Sequence, residues 1–139
     1  MYGYFLMWLY QGQEQTEIPE GMVGFVYLIT DHANNKLYIG KKLYHFQKQK
    51  QVKGKKKKIK VESDWKEYYG SNDALKAEVE KHGPEKFTRE ILHQCQGKGE
   101  MGYWEAYEQF SRHVLLSDEY YNGWISAKIT KAHVAKLRK

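Results

Sequence analysis

The residues best suited to chemistry are two tyrosines, Tyr27 and Tyr38, set eleven positions apart in two runs of strand character. On adjacent strands joined by a short turn, both phenols reach one face near the same level and can share a substrate. Cross-strand tyrosine pairs also serve packing alone, so the spacing by itself leaves a core role open. The second chemical signal follows directly: residues 41–60 hold ten lysines and no acid, which, against a net charge of +6, leaves −4 for the rest of the chain. Lys53, Lys55, Lys56, Lys57, Lys58 and Lys60 form its densest part. Charge gathered at one place suits a protein that must grip a polyanion there, whereas a solvated loop is the plainer reading of the same run.

The elements that must position these groups can be read in chain order. Tyr4 to Tyr10 is aromatic and closed by Gln11-Gly12, which predicts a strand, and its apolar run is far shorter than a membrane helix of roughly 20 residues. Phe25 to Thr30 and Lys36 to Gly40 predict a hairpin across Asp31 to Asn35, where asparagines tolerate positive φ. The basic segment 41–61 turns at Lys53-Gly54 and carries a second ribbon through Ile59 and Val61. Asp73 to His82 predicts a helix stopped by Gly83-Pro84, and Phe87 to His93 a third central strand. After a loop at Gly97-Lys98-Gly99, Tyr103, Tyr107 and Phe110 recur at helical spacing. Asp118 to Asn122 is a turn or short extended piece, and 125–139 a basic, frayed helical tail.

This order predicts a single α+β domain over 1–139, a small antiparallel sheet packed against helices. The lone Cys95 closes no internal disulfide and points to a reducing cytoplasm. Glycine patterns for nucleotide binding and cysteine spacings for structural zinc do not occur, so no small-molecule cofactor is expected. His45, His82 and His113 read as surface or interface residues.

Phe25-Val26-Tyr27 and Tyr38-Ile39-Gly40 resemble the two strands that name the GIY-YIG nuclease superfamily. Trp65, Tyr68, Ser71, Lys81-His82-Gly83, the strand from Phe87 to Leu92, Glu105 and Tyr121-Asn122-Gly123 follow in that family's order. The resemblance covers about residues 24–123 and is nearest to freestanding Seg-type phage homing endonucleases. It implies a Mg²⁺-dependent endonuclease on double-stranded DNA, with Mn²⁺ able to substitute, in the cytoplasm of a host cell if phage-encoded.

The implied roles can be weighed as chemistry. Tyr27 would be the general base; an ordinary phenol pKa near 10 leaves about one in a thousand ionised at neutral pH, so a cation must stand nearby. Lys42 shares the strand parity of Tyr38 and is the expected donor of that charge, while Lys41 would hold a neighbouring phosphate. Tyr38 and Tyr68 would orient phosphate or water, and Asn122 would fix the geometry beside the metal. Glu105 would bind one Mg²⁺, a hard cation that keeps its waters and needs few carboxylates. Many relatives carry an arginine on the first helix, yet none precedes Arg89 here. Lys66 is the expected replacement after Lys42, although an ammonium lacks the arginine fork. The lysine segment would clamp the DNA backbone without reading bases.

Two other readings share the fold: a nucleic-acid-binding module without turnover, and a branched-DNA or repair nuclease. The oligomeric state is left open, with a transient dimer on DNA as one arrangement.

Overall fold

The computed structural model describes residues 7–138. Five strands form one sheet in the order β2-β1-β7-β3-β4, where β1 is Trp8–Tyr10, β2 Gln13–Gln15, β3 Gly24–Asp31, β4 Lys36–Leu43 and β7 Phe87–Cys95. The fold is α+β, as the element order implies. One pair, β1 with β7, runs parallel, because the chain returns to the sheet from the helical side rather than by a hairpin. Of the strand expected over 4–10, positions 4–6 lie outside the described residues.

The β3–β4 hairpin is locked at its turn by the Asp31 side chain, which accepts from the Ala33 and Asn34 backbone amides at 2.9 and 3.0 Å. Asn35 takes the positive φ that its short polar side chain tolerates. This fixes the register in which Tyr27 faces Gly40 and Ile29 faces Tyr38. Side chains alternate across the sheet, so two cores result. On one face Phe25, Tyr27, Ile29 and Ile91 pack with Trp8, Tyr44, Trp65 and Leu75. Leu75 comes from helix α1 (Asp73–His82), which Asn72 caps by accepting from the Leu75 amide. On the other face Val26, Ile39 and Cys95 pack with Met101 from helix α2 (Lys98–Ser111) and with Val114. Cys95 is buried there, and burial pushes its thiol up to about 12.

Three boundaries differ from the sequence reading. Helix α2 starts at Lys98, so Lys98 and Gly99 belong to its first turn; Glu100 reaches back to the Gln96 amide at 3.3 Å and supports that start. Strand β4 runs on to Leu43, which places Lys41 and Lys42 inside the sheet, and the basic insert proper is a separate ribbon of β5 (His45–Val52) and β6 (Lys55–Glu62). The tail has no regular secondary structure over 123–130 and then forms 3₁₀ turns over Lys131–Leu137 rather than an α-helix, since Val134 breaks the helical dihedrals.

Candidate active site

The site is built at the edge of the sheet. Strand β4 is an edge strand, and its first half is covered by the segment Glu119–Asn122, through Leu37 N–H to Glu119 O and Tyr121 N–H to Leu37 O, both at 2.8 Å. Asn122 completes that cover with its side chain: Oδ1 accepts from Ile39 N–H at 3.0 Å and Nδ2 donates to Ile39 O at 2.8 Å. Immediately beyond Ile39 the edge opens into a cavity of about 380 Å³ lined by Tyr27, Tyr38, Lys41, Glu105, Gln109 and Asn122, among others.

Side chains from both sheet faces meet there. Tyr27 points into the first core and is 1% exposed, yet it also lines the cavity because residue 40 is glycine. A Cβ at Gly40 would collide with the Tyr27 hydroxyl and ring, and would press on Tyr38. The absent side chain is the passage by which a buried phenol reaches the strand edge. Glu105 arrives from α2, on the opposite face, and its Oε1 lies 3.8 Å from Lys41 Nζ. Tyr38 is held by a 3.2 Å hydrogen bond with Ser71, and its ring centroid is 6.2 Å from that of Tyr27.

Electrostatics set limits on what these groups can do. Burial pushes the Tyr27 phenol well above its ordinary value, and Tyr68, Tyr38 and Glu105 push it the same way. Burial also raises Tyr38. Burial lifts the Glu105 carboxyl as well, against the pull of Lys41. A cation seated beside Glu105 would relieve all three at once. The donor set agrees with such a guest: one carboxylate in a wet, polar recess suits a hard ion that keeps most of its waters. No cluster of three or more His, Cys, Asp or Glu that could hold a metal ion occurs among the described residues.

Three expected site residues, Lys42, Lys66 and Tyr68, do not line the cavity. Lys42 does lie on the Tyr38 face, but at its level that face is aromatic core: its ammonium sits 3.9 Å from the Tyr68 ring centroid and 4.8 Å from that of Phe46. There it donates to Asp64 at 2.6 Å, so Lys42 is a structural cation and Lys41 is the lysine in the cavity. Parity identified the face correctly but missed that the opening is an edge. Lys66, in the turn Trp65–Glu67, lies over the Trp65 ring at 5.8 Å and does not line the cavity.

Tyr68 packs edge-on against Tyr27 at 6.1 Å rather than in the cavity lining. Lys53, Lys55, Lys56, Lys57, Lys58 and Lys60 are all exposed on the ribbon. Residues that the sequence reading did not single out complete the wall. Gln109 follows Glu105 by one helical turn and donates to Ile39 O at 3.3 Å, a spacing that helix periodicity could have revealed. Trp124 and Ser126 line the cavity from a segment without regular secondary structure, and no local pattern marks them.

The comparison with protein families agrees with this geometry. Residues 8–125 match the family model described as "Putative endonuclease segE, GIY-YIG domain". No curated protein and no solved structure matches the chain. That match spans both tyrosine strands, α1, α2 and the Asn122 cover of the edge strand, and the chain therefore belongs to the SegE-type GIY-YIG endonuclease family.

Proposed function

We propose that this chain is a metal-dependent endonuclease that hydrolyses phosphodiester bonds in double-stranded DNA. The observation that carries the reading is the convergence of Tyr27, Tyr38, Lys41 and Glu105 on one edge cavity, from strands and a helix on opposite faces of the sheet. Lys41, 47% exposed, is free to swing from Glu105 to a phosphate oxygen. Tyr38, oriented by Ser71, donates to the scissile phosphate, and Tyr27 takes the proton of the attacking water. Since burial, Tyr68, Tyr38 and Glu105 all oppose its ionisation, Tyr27 needs added positive charge nearby to stand as the phenolate that accepts this proton. A Mg²⁺ ion held at Glu105, or Mn²⁺ in its place, supplies that charge and neutralises the phosphate when bound. Asn122 and Gln109 hold the main chain at Ile39, and so keep Gly40 and Lys41 in place. We assign the action to a host cytoplasm, with an origin in a phage or mobile element.

The test is nicking of supercoiled plasmid with Mg²⁺. The native chain converts it to open circles; Tyr27→Phe slows the reaction by about 10²- to 10⁴-fold, and Glu105→Ala abolishes it. Equal rates for all three proteins, or no cleavage by the native chain with either metal, would remove the catalytic assignment. The latter result would leave a binding module.

A further inference from the structure

The ribbon β5–β6 has two unlike faces. In its antiparallel register Gln47, Gln49 and Gln51 stand directly opposite Lys60, Lys58 and Lys56. Because strand side chains alternate, these three pairs share one face, and all six residues are exposed. The other face sets Phe46, Lys48, Lys50 and Val52 opposite Val61, Ile59, Lys57 and Lys55, with Phe46 against the Lys42 ammonium. Both faces carry lysines, but only the face of Gln47, Gln49 and Gln51 sets an amide opposite each ammonium.

That glutamine face is continuous with the candidate active site. Gln47 and Lys60 line a recess that also includes Lys98. Lys98 lines the next recess, together with Lys41 and Lys128. Lys41 lines the catalytic cavity. None of the residues lining the two intermediate recesses is acidic. A polyanion seated in the cavity is thus led along a basic path onto the glutamine face.

Backbone neutralisation explains the lysines but not the glutamines, which bring no charge and fill every alternate position of β5 from 47 to 51. A glutamine amide offers a donor and an acceptor side by side, the pattern that matches adenine N7 and N6 in the major groove, and lysine can donate to guanine O6 and N7. A two-stranded ribbon fits that groove, which is about 12 Å wide. Residues two apart on a strand are about 7 Å apart, close to the rise of two base pairs. We propose that the Gln–Lys face of β5–β6 enters the major groove of duplex DNA and reads purines there, so that the ribbon sets sequence preference as well as affinity. This rests on the endonuclease reading above for its choice of duplex DNA.

The test is selection of bound sequences from a randomised duplex pool by the full-length protein without divalent metal, so that binding is read apart from cleavage. The native chain enriches a motif with adenines at alternating steps. Gln47→Ala/Gln49→Ala/Gln51→Ala loses that enrichment by about 5- to 150-fold at each read position, while the slope of log K against log salt, set by the lysines, stays as it was. Gln49→Glu, which presents only acceptors, shifts the preference at its position from adenine to cytosine; a misfolded ribbon would not do so. A native profile without base preference, or the same motif in the triple variant, overturns the proposal. Plasmid nicking with Mg²⁺ is scored on the same native preparation, so failure of the endonuclease reading shows there and not in the bound-sequence profile.

Discussion

At the scale of single residues, the site depends as much on an absent side chain as on those present. Gly40 gives Tyr27 its way to the edge, so Gly40→Ala is expected to displace the phenol: plasmid nicking falls by about 100-fold, the loss that misplacement of about 1 Å can bring. Overpacking destabilises the fold by about 1–3 kcal/mol at the same time, read by urea unfolding. Lys42 behaves in the opposite way. Removing its partner with Asp64→Ala should cost about 1–2 kcal/mol of stability after allowance for the exposure of Asp64, and should change cleavage far less than Lys41→Ala does. The tyrosine pair and Glu105 could be picked out from the sequence because they lie in motifs that keep the family's order. Which lysine faces the cavity could not, because parity assigns a side of a sheet and this pocket lies around its rim.

At the scale of elements, the decisive arrangement is the cover of β4. Asn122, eighty-three positions from Ile39, takes the place of a neighbouring strand by giving and accepting one hydrogen bond. Asn122→Ala leaves the buried Ile39 amide unpaired and is expected to cost about 1–3 kcal/mol, measured by denaturant unfolding, with cleavage reduced as Lys41 loses its register. The β3–β4 hairpin, the β5–β6 ribbon and α1 were legible from alternation and turn residues, which are local, whereas the short β2 was not. The parallel docking of β1 on β7 and the irregular tail with its 3₁₀ turns were not legible, because periodic patterning does not encode them. Gln109 is intermediate: its helix was evident, but its use as a hydrogen-bond donor to the edge strand required the packing of α2 on the sheet.

At the scale of the whole molecule, charge is divided between grip and stability. If the basic segment neutralises six phosphates, log K for duplex DNA falls with log salt at a slope of about −5, and replacing Lys56, Lys58 and Lys60 by glutamine reduces that slope by nearly 3. The acids stabilise the fold in a definite pH range. Burial pushes the Asp31 carboxyl up, but the hydrogen bonds from Tyr121, Asn34 and Ala33 overcome it and hold the group below its ordinary value. Its contribution is therefore complete above a pH of about 4, the unfolded value, and is lost as pH falls through the lower folded value. Thermal melting should show that acid loss in the native chain and a flatter profile in Asp31→Asn. Cleavage by these residues requires that one cavity hold both the metal and the reacting phosphate. The direct measurement is the anomalous map of a crystal grown with Mn²⁺ and an uncleaved duplex. A manganese peak on the Glu105 carboxylate, with a phosphate between it and the hydroxyls of Tyr27 and Tyr38, is the predicted result; manganese or the DNA backbone seated away from that cavity would contradict it.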